Sequence, residues 1–483
     1  LFGGLGADLL TGGAGADTFH LVGIGASTVK TDGRDTIADF HRREGDRIDL
    51  HKIDANLGKG GNQDFDFIGD DRFHHHAGEL RSIVKNGDTL ASVLGSDRIA
   101  ADVALEGADK AGQAVEVNVP ALKVTLKGTT GADGRVSLSA KAPTGLKRWS
   151  PDTPTLYDVR VTAGADTLTD RIGFRTIEVK GSQIILNGKP LFLRGISLHE
   201  EEFGPNPSRR ITPEASRALL TEIKTGLHGN FVRLAHYPHS EVTTRMADEL
   251  GLLVWSEIPV YWSANFTRPE TLQAAQKMIA ENILRDRNRA SIVIWSVGNE
   301  TPVSDARNHF LGTLAQEARD LDGSRLISAA LNTATSNGPN DISIKDPLAA
   351  YLDVIGINTY NGWYGGNGTL EDVRKTVWHS DYDKPMIFSE FGAGAKYGYH
   401  DPAQQHRFSE EYQASYYKAT LEMADHVPFL AGMSPWILKD FRSPRRQNTW
   451  QQGWNRKGLL SETGQRKQAF FVLGDYYQKK AGE

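Results

Sequence analysis

From about residue 179 onward the chain alternates short apolar runs with amphipathic stretches, and this alternation limits the fold more than any other feature. Strand-like runs stand at 192–199, 230–236, 252–257, 292–299, 326–331, 354–360, 385–390 and 431–438. Several are apolar at consecutive positions, the pattern of a strand covered on both faces. Helical periodicity fills gaps at 213–226, 270–287, 306–321, 404–425 and 466–478. The first of these opens with Thr212 as N-cap and Pro213 in the first turn. Buried strands alternating with helices run parallel, and eight such units close into a (β/α)8 TIM barrel.

In such a barrel the chemistry sits at the carboxyl ends of the strands. SIVIWSVGNETP, at 291–302, begins as a buried strand and breaks into Gly298, Asn299 and Glu300. KPMIFSEFG, at 384–392, has the same design and ends on Glu390. The other strand ends add His199 and Glu200, then Arg233, His236 and Tyr237, Glu257, Asn358, Tyr360 and Tyr364, and finally Trp436. A single polar residue there would cap a helix. Convergence from most of the strands on one rim calls for a polar ligand, because burying that much charge is otherwise costly.

Two glutamates across a barrel mouth can be metal ligands, ion-pair members, or the paired carboxylates of glycoside hydrolysis. With no third carboxylate or histidine beside them at ligand spacing, metal binding is the weakest of the three. An ion-pair role is assigned to Glu257, and hydrolysis to Glu300 and Glu390. A carboxyl separation of about 5–5.5 Å would make the reaction retaining. Glu390 is then the ionised nucleophile, with Arg233 expected to hold its carboxyl down. Glu300 is expected to be protonated at rest, acting first as acid and then as base. Asn299 can hydrogen-bond a sugar 2-hydroxyl.

Composition narrows the partners. With 55 basic against 60 acidic residues the net charge is −5, which gives no reason to expect nucleic acid or an anionic membrane. No apolar run approaches the roughly 20 residues of a membrane helix. The absence of cysteine removes disulfides and thiol catalysis without fixing a compartment. Leu1 falls inside a repeat, without methionine or a signal-like segment, so the N-terminus is expected further upstream. A homo-oligomer stays open.

Ahead of the barrel lie two further segments. GGLGADLLT at 3–11 and GGAGADTFH at 12–20 keep one nine-residue register, and their carboxylates, Asp8 and Asp17, suit calcium between stacked turns. From Val115 to Val179 short alternating strands separated by glycine or proline read as a β-sandwich. The domains are therefore expected at 1–107, 108–178 and 179–483.

Known families share these motifs. Residues 1–105, with DTIADFHRREGDRIDLHKIDAN, resemble the repeats-in-toxin β-roll that ends serralysin-type proteases, without the protease helix HExxH. KRWSPDTPTLYDVRVTA with DRIGFRTIEV resembles the last strands of the immunoglobulin-like domain of glycoside hydrolase family 2. A larger jelly-roll domain normally precedes it in that family, and here the glycine repeat stands in that place, so the sandwich is expected to be partial. Residues 150–483 resemble that family, and within it the β-glucuronidases. The resemblance implies that SVGNE carries the acid/base, Glu300, and FSEFG the nucleophile, Glu390. LHE is similar to the family's sugar-contacting histidine–acid pair, His199 and Glu200, with glutamate where aspartate is commoner. VRLAHYPH is similar to its strand 2 motif, containing Arg233 and His236. NTYNGWY brings Asn358, Tyr360, Trp363 and Tyr364, and SPWILKDF sets Trp436 under the ring. NRKG at 455–458 is similar to the NxK signature of glucuronidases, in which Asn455 and Lys457 would meet a C6 carboxylate. Gln451 stands where arginine is found in better-known members, with Arg442, Arg445 and Arg446 as candidate replacements.

The implied activity is a retaining exo-β-glucuronidase acting on small-molecule or oligosaccharide β-glucuronides, with no cofactor for catalysis and calcium at the β-roll. A β-galacturonidase or β-galactosidase, and a catalytically weak calcium- or carbohydrate-binding fusion, remain as alternatives.

Overall fold

The computed structural model describes residues 1, 9–13, 15–20, 36–37, 47–49, 66–67, 79–80, 98–105, 107, 109–164, 166–332, 334–338, 340–364, 369–403 and 406–482. The chain divides into two compact units, Leu1–Asn86 and Gly87–Glu483. In the first unit Leu9–Leu10 pairs in parallel with Thr36–Ile37, Thr18–His20 with Arg47–Asp49, and Asp66–Phe67 with Glu79–Leu80. Asp8 lies outside the described residues. Among those described, no three histidine, aspartate or glutamate side chains gather to hold a metal ion.

The second unit opens with Arg98–Ala104, a strand inside the segment expected to be β-roll. It pairs antiparallel with Arg135–Lys141, which fixes it in the sandwich. Asp166–Ile172, Tyr157–Ala163, Ala114–Val119 and Val124–Thr129 form the facing four-stranded sheet in that order. Inward positions alternate with outward ones along Ala114–Val119 and Tyr157–Ala163, and both sheets share one core of Ile99, Val103, Val117, Val119, Val159 and Val161.

Eight parallel strands then close the barrel: β1 Leu193–Leu198, β2 Phe231–Leu234, β3 Leu253–Glu257, β4 Ile292–Asn299, β5 Leu326–Asn332, β6 Val354–Asn358, β7 Met386–Glu390 and β8 Leu430–Met433. Every position of β4 is buried, as its unbroken apolar run requires. Helices α1 Pro213–Thr221, α2 Glu241–Leu250, α3 Pro269–Asp286, α4 Asp305–Leu321, α5 Leu370–Arg374, α6 Glu410–Ala424 and α7 Gln468–Ala481 pack outside. The Thr212 hydroxyl accepts from the Ala215 amide at 3.2 Å and caps α1. The crossovers around β6 depart from the regular pattern. A single helical turn, Pro347–Tyr351, precedes β6, and Ala334–Gly338, Asp341–Ile344 and Val377–Ser380 form a small separate sheet. Polar, aperiodic sequence there gave no sign of strands. β8 is shorter than expected, because after Met433 the chain leaves the ladder and carries Trp436 over the rim.

The sandwich is fastened to the amino ends of the barrel strands. Trp149 is fully buried, shares a core with Leu193, Phe231, Leu253 and Ile294, and donates its indole N–H to the Asp248 carbonyl at 2.9 Å. Arg175 donates to the Ala290 and Ser324 carbonyls, both at 3.1 Å. Arg245 pairs with Asp170 at 2.6 Å. Replacing Trp149 by alanine is expected to cost about 3–5 kcal/mol of stability, measured by denaturant unfolding. A loss under about 1 kcal/mol would show that the seam does not hold the barrel base.

Candidate active site

Irregular pairing at the strand ends aims the rim residues. The register shifts between Ser296 and Asn299 and between Ile357 and Asn358. Such bulges turn a side chain that a regular ladder would point elsewhere. Glu300, just past β4, sits in the left-handed region at φ 50°, a strained position for a glutamate. Gly356 gives room for Trp255, since a Cβ there would lie 2.6 Å from the indole.

A buried guanidinium organises the floor. Arg233 grips Glu257 with Nε at 3.0 Å and Nη2 at 3.1 Å, and reaches Glu390 Oε1 with Nη1 at 2.8 Å. Its Nη2 also donates to Asn299 Oδ1 at 2.9 Å. That oxygen accepts a second bond from Asn358 Nδ2 at 3.0 Å, and the same Nδ2 donates to Glu300 Oε1 at 3.0 Å. Ser389 fixes the amide by donating its hydroxyl to Asn358 Oδ1 at 2.8 Å. The two glutamates are thus joined through Arg233, Asn299 and Asn358. Tyr360 donates its hydroxyl to Glu390 Oε2 at 2.6 Å, so both oxygens of that carboxylate have a donor. Glu257 also binds the Trp255 indole at 2.8 Å and His236 Nδ1 at 2.7 Å, as its expected ion-pair role requires.

Burial works against the charge on Glu257, yet Arg233 and His236 outweigh it and hold the carboxyl at about 2. The balance reverses at Glu390. There burial, with Glu300 adding to it, exceeds the pull of Arg233 and His236, and the carboxyl lies above its ordinary range. The expectation that Arg233 holds it below is corrected accordingly: one guanidinium shared between two buried carboxylates compensates the bidentate partner more. Burial also keeps Tyr360 protonated, with Glu390 reinforcing it, and drives His199 well below its usual value.

Beside Glu390 lies a second cluster. Lys457 is 2% exposed, donates to the Tyr364 hydroxyl at 2.7 Å, and stands 5.2, 5.6 and 4.7 Å from the rings of Tyr360, Trp363 and Tyr364. Burial and the like charge of Arg446 lower its ammonium to about 7, against the attraction of Glu390 and Glu300. Asn455 Oδ1 accepts from the Lys457 amide at 3.1 Å. Of the three candidate arginines, Arg446 is the one within hydrogen-bond reach of Tyr364. Arg442 turns away to the side chain of Asn206 at 3.0 Å. Gln451 is buried and holds Asn448 at 2.9 Å.

Trp436 closes the floor, stacked on His236 at 4.8 Å and meeting His199 edge-on at 5.2 Å. Glu200 does not join the cleft. Its carboxylate accepts the Ser240 amide at 2.9 Å and the Thr243 hydroxyl at 2.6 Å, at the N-terminus of α2. The sequence reading missed two indoles: Trp255, which supports Glu257, and Trp262, whose Nε1 donates to Glu300 Oε2 at 3.0 Å. Neither carries a local signal beyond an aromatic near the end of a strand.

The depressed carboxyl of Glu257 contributes stability that is complete above its unfolded value near 4.5 and is lost as pH falls towards about 2. The shift is worth on the order of 3 kcal/mol. Unfolding titrations at pH 7 and pH 3 should show Glu257→Gln destabilised at neutral pH and less sensitive to acid than the parent chain. Parallel behaviour of the two chains would sink this assignment.

The barrel and the sandwich both match known families. Residues 177–481 match the glycosyl hydrolases family 2 TIM barrel domain, and residues 88–175 match glycosyl hydrolases family 2. A β-glucuronidase of Streptococcus agalactiae is 30% identical over 345 residues, 65% of this chain and 56% of its own length. The human β-glucuronidase is 30% identical over 390 residues, 75% of this chain and 56% of its own. The chain thus spans little more than half the length of these relatives. The crystal structure of a family 2 β-galacturonidase from Eisenbergiella tayi bound to galacturonate superposes with a TM-score of 0.69 at 26% identity, covering 79% of this chain and 69% of that one. A β-D-glucuronidase of Dictyoglomus thermophilum gives 0.67 at 26% identity, covering 81% and 68%. With a family match over more than half its length, this chain belongs to glycosyl hydrolase family 2.

Proposed function

We propose that the chain is a retaining exo-β-glucuronidase. The observation that carries this reading is Lys457, a buried ammonium in an aromatic box whose Tyr360 wall also donates to Glu390. A buried cation beside the nucleophile, with no carboxylate at contact distance among the described residues, suits an anionic group on the substrate. A C6 carboxylate meets that demand, with Asn455 and Arg446 as further donors.

In this mechanism Glu390 attacks the anomeric carbon, while Glu300 gives its proton to the departing oxygen as the glycosidic bond breaks. Glu300 then takes a proton from water, whose oxygen attacks the anomeric carbon of the glycosyl ester and frees Glu390. Tyr360 and Arg233 hold Glu390 during attack, and Asn299, fixed through its Oδ1, offers its Nδ2 to the sugar 2-hydroxyl. Trp436 underlies the ring. Likeness to the galacturonate-bound relative supports a second reading, a β-galacturonidase, since one carboxylate pocket can serve both C4 epimers. The immunoglobulin-like topology of the sandwich rests on a family resemblance, and calcium between Asp8 and Asp17 on the register of the glycine repeat.

Hydrolysis of nitrophenyl β-glucuronide, β-galacturonide and β-galactoside, with Glu390→Gln as inactive control, tests the proposal. Equal turnover of galactoside and glucuronide would overturn carboxylate recognition. A folded, inactive chain that retains sugar binding would favour a binding role. Lys457→Ala should lower kcat/KM on uronides about 10–100-fold, the loss of one charged hydrogen bond, and leave neutral glycosides nearly untouched.

Because Lys457 titrates at about 7, it is charged below that pH and discharged above it. The kcat/KM for glucuronide relative to galactoside should therefore fall as pH rises through 7. A ratio independent of pH from 6 to 9 would show that Lys457 does not meet the carboxylate.

A further inference from the structure

Two aromatic side chains at the barrel mouth are unused by the chemistry above. In the loop after β3, Tyr261 is 41% exposed and Trp262 59% exposed, whereas Trp363 and Trp436 are 6% and 5% exposed. The loop is tied to the end of β4, with the Trp262 amide on the Asn299 carbonyl at 3.1 Å and the Asn299 amide on the Val260 carbonyl at 2.9 Å. Trp262 sits in the left-handed region at φ 55°, a conformation that a bulky side chain rarely adopts. Its ring is mostly in solvent, so core packing does not account for that conformation. What the indole does is point its N–H at Glu300 Oε2, 3.0 Å away, with Tyr261 edge-on at 5.2 Å.

Resting on the glucuronidase reading, we propose that Trp262 and Tyr261 form the leaving-group subsite, and that it takes a ring with a flat apolar face. Lys457 and its aromatic box hold the uronate side, and Trp436 underlies the sugar. Glu300 must hand its proton to the departing oxygen, so a surface beside its outer oxygen faces the departing group. An exposed indole offers stacking area there, and its bond to Glu300 fixes the orientation of that surface relative to the proton donor. Both an aromatic leaving group and a second pyranose present such a face.

The test compares phenyl, pyranosyl and methyl β-glucuronides as substrates of the full chain and of Trp262→Ala and Trp262→Phe. The phenyl-to-methyl ratio of kcat/KM should fall about tenfold in Trp262→Ala and stay within about threefold of the parent in Trp262→Phe, which keeps a ring. A parallel fall in the pyranosyl-to-methyl ratio extends the subsite to sugars, and an unchanged one assigns it to aromatic groups. Ratios unchanged in Trp262→Ala, or equal losses on all three substrates, overturn the proposal. Dissociation constants of the same glucuronides on the Glu390→Gln chain give a readout without turnover. A phenyl-to-methyl affinity ratio that drops on adding Trp262→Ala supports the subsite even if the parent chain hydrolyses nothing, an outcome that would overturn the glucuronidase reading alone.

Discussion

The site depends on one buried guanidinium. Arg233 is fully buried on β2, and three neighbouring elements supply what keeps its charge there: Glu257 from β3, Asn299 from β4 and Glu390 from β7. Desolvating an arginine is expensive unless its donors are met, and here each is met by an acceptor with a role of its own. Glu257 absorbs most of the charge through two bonds and becomes a permanent counter-ion. Glu390 shares one nitrogen, which orients it without locking it in an ion pair. The asymmetry leaves one carboxylate below its ordinary range and the other above it within a single cluster.

From that centre the network passes outward by amides. Asn299 and Asn358 relay position from Arg233 to Glu300 without carrying charge, so Glu300 and Glu390 are located by one framework while differing in their surroundings. Register shifts at the carboxyl ends of β4 and β6 allow it, because they release successive residues from strict alternation. The opposite end of the barrel does different work. Trp149 and Arg175 anchor the sandwich on the amino ends of the strands, so stability is concentrated away from the rim where strained positions such as Glu300 and Trp262 occur.

Much of this was legible in the chain. The apolar, largely β-branched run from Ile292 to Trp295 reads as a strand buried on both faces, and eight strands alternating with helices have few closed arrangements. Glu300 and Glu390 could be read because a carboxylate directly after a buried strand is a local feature. The strand at Arg98–Ala104 was not recognised, because its neighbours in sequence are polar and its partner, Arg135–Lys141, lies more than thirty residues on. The small sheet around Asp341–Ile344 escaped because its strands are only four or five residues long.

The sequence by itself determined the barrel, the places of the two glutamates, and the presence of a lysine and an asparagine in the NRKG loop, since these follow from periodicity and local motif. Only the tertiary structure decided where side chains point and what charge surrounds them. It turned Glu200 from the cleft to the start of α2, where amide and hydroxyl donors converge on it. It brought Arg446 rather than Arg442 towards Lys457, and set Trp262 against Glu300. It also gave the larger share of Arg233 to Glu257, leaving Glu390 above its ordinary range. Each of these outcomes depends on neighbours tens to hundreds of residues away, and the field at a buried charge is set by those neighbours in space.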